Sequence, residues 1–143
     1  MIVLDTNVVS EVMKPPASRS AKVSAWLRSY QTAEVFTTTI SLAEVLAGIA
    51  MLPQGKRRIE MREAADKIFS TVFPQRILPF DEAAAAVFAD IMTVRRRKGL
   101  TFDALDVQIA AIAKSRGMTV ATRNAVDFAD SGIEVIDPWS DES

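Results

Sequence analysis

The opening residues, MIVLDTN, constrain the fold more than any other stretch of the chain. Ile2, Val3 and Leu4 form an apolar run with no polar residue inside it. A strand with one wet face alternates apolar and polar residues, whereas a strand covered on both faces reads as such a run. Covered strands belong to parallel sheets flanked by helices. The run then stops on Asp5, Thr6 and Asn7. All three suit a turn or a helix cap. A carboxylate at the end of a doubly covered strand also suits a hard cation, and the rest of the sequence has to separate the two readings.

The same alternation recurs along the chain. Further strands are expected at Val35–Thr39, Arg76–Phe80, Met118–Thr122 and Glu134–Ile136. Helical patterns lie between them, at Val8–Met13, Ser20–Tyr30, Ser41–Leu52, Lys56–Phe73, Asp81–Lys98 and Asp103–Arg116. Val23, Trp26, Leu27 and Tyr30 make one stripe at three-to-four spacing, and Leu42, Val45, Leu46, Ile49 and Leu52 make another. Gly117 is placed to stop the 103–116 helix. These elements predict an α/β fold, a three-layer α/β/α sandwich with a central parallel sheet. One domain spans 1–143, with a polar tail from about residue 140. Lys14-Pro15-Pro16 and Leu52-Pro53-Gln54-Gly55 read as loops within it. Two successive helices, 81–98 and 103–116, separate the third and fourth strands, and the pattern leaves their directions open.

Composition narrows the chemistry. The chain has no histidine, which removes Ser-His-Asp and Cys-His catalysis, histidine acid–base steps and the usual zinc sites. It has no cysteine, which removes disulfides and thiolate metal sites. What remains is carboxylate, lysine and hydroxyl chemistry, with Mg²⁺ or Mn²⁺ as the cations that carboxylates suit. The net charge of −1 gives no overall attraction to nucleic acid, so any such contact must come from local patches. No run approaches the about 20 apolar residues of a membrane span, and Asp5 interrupts the apolar start as no signal peptide would. A cytoplasmic protein without a membrane partner is the expectation.

The acids converge. Ligands of open α/β sheets bind beyond the carboxyl ends of the strands. Asp5 follows the first strand, and Glu44 follows the second within Ser41-Leu42-Ala43-Glu44. A helix that feeds a parallel strand starts at the same edge, which brings Asp103 and Asp106 there. The fourth strand ends in Thr122-Arg123-Asn124, with Asp127 about one turn on. Like charges gathered at one edge are costly until a divalent cation sits among them. Each residue also has a local explanation. Ser41-x-x-Glu44 fits a capping box. Asp103 fits an N-cap, and Asp106 then gains from the helix dipole. Asp127 fits a cap on a short final helix. Asp5 is harder to dismiss, because Thr6 or Asn7 could cap in its place.

MIVLDTNVVSEV, ISLAEVLAGIAML and DVQIAAIAKSRGMTVATRN together resemble the PIN-domain ribonucleases, in particular the VapC and FitB type of toxin from bacterial toxin–antitoxin pairs. RILPFDE and the closing IDPW extend the resemblance to about Trp139. It implies RNA cleavage by water activated on Mg²⁺ or Mn²⁺. It implies Asp5, Glu44 and Asp106 as the first three acids and metal ligands. Some relatives carry Asp directly after the Thr-Arg pair, where this chain has Asn124; Asp127 then supplies the fourth charge. One tightly held ion with a weaker second is the expectation. Asn7, Thr122 and Asn124 take supporting roles, orienting ligands or water. The implied partners are an RNA substrate, a cognate antitoxin and a second copy in a homodimer, with a higher toxin–antitoxin assembly in view.

Lys56-Arg57-Arg58 and Arg95-Arg96-Arg97-Lys98 read first as solvated charge and helix-dipole partners, and second as RNA contacts. The alternative to catalysis is a non-cleaving PIN-like protein that holds RNA or an antitoxin. A phosphatase using Asp5 as nucleophile would want a second acid two residues on, where Asn7 stands.

Overall fold

In a computed structural model, which describes residues 1–140, strands β1 (Ile2–Leu4), β2 (Val35–Thr38), β3 (Ile77–Leu78), β4 (Thr119–Ala121) and β5 (Val135–Ile136) form one sheet. Six α-helices accompany them: α1 (Thr6–Met13), α2 (Ala21–Arg28), α3 (Thr39–Ala50), α4 (Lys56–Thr71), α5 (Glu82–Arg97) and α6 (Ala104–Ser115). The sheet order is β3-β2-β1-β4-β5, and every neighbouring pair is parallel. The expected polar tail lies, from residue 141 on, outside the described residues.

The opening run behaves as its composition dictates. Ile2, Val3 and Leu4 are all buried. Ile2 and Leu4 pack into one core with Val8, Val9, Val23, Val45 and Phe73, on the α1–α4 side. Val3 faces the other way, into a core with Ile91, Ile109, Ile112 and Val120, on the α5–α6 side. One strand therefore feeds both layers.

The chain builds outward from β1 through β2 to β3, then crosses to the other side of β1 to add β4 and β5. The strand order thus reverses between β1 and β4, the junction where α/β sheets open a crevice for ligands. The directions of the two successive helices follow from their ends. Arg116, just past α6, lies 3.6 Å from Asp81, which caps the start of α5. The pair is an antiparallel hairpin, so α6 begins at the carboxyl edge and ends where β4 begins. Gly117, at φ +66, closes α6: its N–H binds the Lys114 carbonyl while the Met118 N–H binds Ala113.

Two boundaries differ from expectation in ways that matter. α1 begins at Thr6, not Val8, because Asp5 takes the N-cap position and accepts from the Thr6 N–H at 2.8 Å. β2 ends at Thr38, whose hydroxyl caps α3 by accepting from the Ser41 N–H. That moves the start of α3 two residues upstream of the expected Ser41. β3 and β5 are also shorter than the segments expected for them.

Candidate active site

Asp5 emerges from β1 at the junction with β4. It is 4 % exposed, and its backbone N–H binds the Ala121 carbonyl, extending the ladder by one residue. Its carboxylate is held by groups from both sides. Oδ1 takes the Thr6 N–H, and Oδ2 takes the Thr122 hydroxyl at 2.7 Å. Thr122 is fully buried just beyond β4. Its oxygen accepts in turn from Asn7 Nδ2 at 3.2 Å and from the Asn124 N–H at 3.1 Å. Asn7 also reaches Asp5 Oδ2 at 3.4 Å and accepts from the Arg123 N–H. Asp5 therefore caps α1 and also anchors a polar network with Asn7, Thr122 and the Asn124 N–H.

Glu44 arrives from α3, half-buried. It does not close a capping box. Thr38 rather than Ser41 is the N-cap of α3, and the Glu44 Oε1 oxygen accepts from the Thr6 hydroxyl at 2.8 Å instead. Thr6 Oγ1 also lies 3.0 Å from Ser41 Oγ. Thr6 thus links the residues that follow β1 to those that follow β2. The sequence reading passed over Thr6 and Ser41 as ligand-orienting groups. The available signal was adjacency: once β1 and β2 are neighbours, the residues just past their ends must meet.

Asp103 caps α6 as expected, accepting from the Leu105 and Asp106 N–H groups. Asp106 stands in the first turn, half-buried, where the helix dipole favours its charge. Asp127 lies inside a short 3₁₀ turn, Ala125–Phe128, and is exposed. It is not that turn's cap. Asn124 occupies the cap position without a side-chain cap bond, so its contribution runs through its backbone.

The acids act on one another. Burial pushes the Asp106 carboxyl up to about 7, and the charges of Asp5, Asp103, Asp127 and Glu44 add to the rise. Burial also raises Asp5, against the Thr122 and Thr6 hydrogen bonds, with Asp127 adding to the rise. Glu44 is raised by burial, lowered by Thr6, and raised again by Asp5 and Asp103. Asp5, Glu44 and Asp106, acids from three segments, are therefore all held in surroundings that disfavour their ionised forms. A divalent cation reverses that logic. Among the described residues no three of these acids stand close enough to form a ready-made cage. Mg²⁺ does not require one, since it keeps several waters and takes one or two carboxylates beside substrate phosphates. The donor set, all oxygen with no nitrogen or sulfur, fits Mg²⁺ or Mn²⁺.

The basic runs separate on inspection. Arg95 is buried, which removes it as a surface contact. Lys98 pairs with Asp130 at 2.6 Å, and Lys56 with Glu60 at 3.7 Å. Arg96, Arg97 and Arg57 stay exposed. Arg123, next to the network, lays its guanidinium over the Trp139 ring, 4.8 Å from the centroid. Among the described residues no helix is long and apolar enough to cross a membrane.

Comparison with known proteins supplies the wider frame. The PIN domain family model matches residues 2–132. The chain is 39% identical to Toxin FitB of Neisseria gonorrhoeae, over 99% of this chain and 100% of the relative. It is 36% identical to VapC ribonuclease Y4jK of Sinorhizobium fredii, over 97% of this chain and 98% of the relative. A chain in the solved structure of FitAB bound to an IR36 DNA fragment superposes with a TM-score of 0.90 at 39% identity, covering 100% of this chain and 99% of that one.

Proposed function

The chain belongs to the PIN-domain family, and from that premise we propose that it is the toxin of a toxin–antitoxin pair, a Mg²⁺- or Mn²⁺-dependent ribonuclease that hydrolyses RNA phosphodiester bonds. One observation carries the reading. Asp5, Glu44 and Asp106 come from three separate segments, and burial together with the charges of neighbouring acids, Asp127 among them, raises all three carboxyls. Capping and the helix dipole account for Asp5, Asp103 and Asp106 one at a time but not for their gathering at a ligand crevice, and a cation is the chemistry that makes the arrangement favourable. The names of the relatives, a toxin and a ribonuclease, agree with it.

Asp5, Glu44 and Asp106 would hold the ion, one or two of them directly and the rest through its waters, and Asp127 adds negative charge. When bound, such an ion makes water acidic enough to attack near neutral pH and offsets the charge that builds on the phosphate. The protein's own groups do the orienting. Thr122 and the Thr6 N–H fix both oxygens of Asp5, so its carboxylate has one rotamer to offer. Thr6 fixes Glu44 in the same way. Asn7 and Asn124 complete the hydrogen bonding of Thr122, which leaves its proton for Asp5. Outer groups of this kind set ligand direction and basicity.

The partners follow from the same site. An acidic edge attracts a basic segment, and a cognate antitoxin that covers it would silence the enzyme. Homodimerisation, a larger toxin–antitoxin assembly and a cytoplasmic setting complete the proposal.

The test is cleavage of RNA by the purified chain, freed of antitoxin, with Mg²⁺ or Mn²⁺, beside EDTA and an Asp106→Asn variant. Cleavage that both controls abolish supports the reading. Cleavage that survives Asp106→Asn, or folded protein that binds Mn²⁺ yet cuts no RNA, overturns it.

A further inference from the structure

Arg95 is a buried cation with no anion beside it among the described residues. It is 5 % exposed in the last turn of α5, and no carboxylate pairs with it among the described residues. Arginine is rarely buried so fully without a partner, because removing the charge from water is costly. Here the partners are two backbone carbonyls. Nη1 donates to Ala129, and Nη2 donates to Thr101 at 2.7 Å. Nε has no hydrogen-bond partner among the described residues.

Both carbonyls stand next to the acids. Ala129 follows Asp127 by two residues and ends the 3₁₀ turn that carries it. Thr101 precedes Asp103 by two residues, and Asp103 sets the first turn of α6 by accepting from the Leu105 and Asp106 N–H groups. The same end of α5 is closed from within. Gly99, at φ +69, donates to the Arg96 carbonyl, and Leu100 donates to the carbonyl of Arg95 itself. Lys98 adds an outer tie to Asp130. The guanidinium is a rigid planar fork that spans two separated acceptors from two nitrogens, whereas a lysine offers a single nitrogen on a flexible stem.

We propose that Arg95 is a positioning residue: its buried fork locks the Asp127 turn to the loop that launches α6, and so fixes where Asp127 and Asp106 stand relative to one another. The consequence for catalysis rests on the ribonuclease reading above, whereas the lock itself does not.

The experiment compares the full chain with its Arg95→Lys and Arg95→Met variants. Three quantities are measured: amide hydrogen exchange in residues 99–103 and 125–131 without metal, Mn²⁺ affinity, and kcat and KM on RNA. Faster exchange in both segments is expected in both variants, with β1 still protected. Mn²⁺ affinity and kcat should each fall about 10- to 100-fold, the range typical of lost outer-shell partners, while KM stays close to wild type. Lysine should fail as methionine does, since it keeps the charge and loses the fork. Should Arg95→Met not fold, Arg95→Lys carries the comparison. A variant that melts earlier yet binds Mn²⁺ like wild type shows a purely structural residue and overturns the proposal. So does full recovery with lysine. If wild type itself neither binds Mn²⁺ nor cuts RNA, the ribonuclease reading fails, and hydrogen exchange alone decides the lock: unchanged exchange in the two segments overturns it.

Discussion

Thr6 and Glu44 meet across the gap between the first two strands, the Thr6 hydroxyl donating to Glu44 Oε1 at 2.8 Å. The contact joins residues that are 38 apart in the chain and whose strands are direct neighbours. Thr6→Val keeps the branched shape and removes the proton. Glu44 is half-buried and can turn toward water, so unfolding free energy should change by no more than about 1 kcal/mol. Mn²⁺ affinity should fall by about tenfold or more, because a ligand that is free to rotate must be ordered on binding. Titration of Mn²⁺ into both proteins checks this, and equal affinities would show that Glu44 needs no such orientation.

Asp5 serves the helix and the site together, so its variants should separate the two. Asp5→Ala removes the N-cap of α1, worth about 1 kcal/mol, and strips the buried Thr122 hydroxyl of its acceptor. Asp5→Asn retains a carbonyl oxygen for the Thr6 N–H. Both should lose Mn²⁺ binding and RNA cleavage, and Asp5→Asn should be the more stable in urea. If Asp5→Ala proved as stable as Asp5→Asn, the capping role assigned to Asp5 would be wrong.

Much of this was legible in the sequence, and the exceptions have physical causes. Strand–helix alternation and the rule that ligands meet strand ends were enough to bring Asp5, Glu44 and Asp106 to one edge. Thr6 was not legible as a contact of Glu44, because that requires knowing that β1 and β2 are neighbours and that α1 starts two residues early. The capping box at Ser41 was locally convincing, yet Thr38 capped α3 first and left Glu44 to accept from Thr6. Arg95 was hidden inside a run of four cations that reads as a wet surface. Only the closure at Gly99 and the approach of Ala129 turn that one side chain inward.

Asp106 should set a pH dependence on the metal-free protein. Its carboxyl rises from an ordinary 3.8 to about 7 in the fold. Between those values the folded chain keeps a proton that the unfolded chain has released. Stability therefore falls as pH rises through that window and levels off above it. Asp106→Asn cannot lose a proton, so its advantage over wild type should grow from about pH 4 and be largest above pH 7. Urea denaturation in EDTA at pH 5, 6, 7 and 8 measures the difference. Asp5 and Glu44 shift in the same direction and are present in both proteins, so the difference reads Asp106 together with its coupling to them. Parallel curves for the two proteins would rule the effect out.

The same proton should gate metal binding. Below pH 7 a cation must displace it from Asp106, whereas above pH 7 the carboxylate is already ionised and waiting. Ligand stabilisation grows with the ratio of free ion to Kd, so a fixed Mn²⁺ concentration should raise the melting temperature more at pH 8 than at pH 6. Asp106→Asn should show a small shift with little pH dependence. Glu11 provides the contrast. It is lowered by its hydrogen bond from Lys14, lies in an ion pair at 2.6 Å, and belongs to the α1 side rather than the acidic edge. Glu11→Gln should change stability and leave the growth of the Mn²⁺ shift between pH 6 and pH 8 intact. A shift of equal size at pH 6 and pH 8 in wild type would mean that the ion does not touch Asp106, and the acidic edge would need a different cation site.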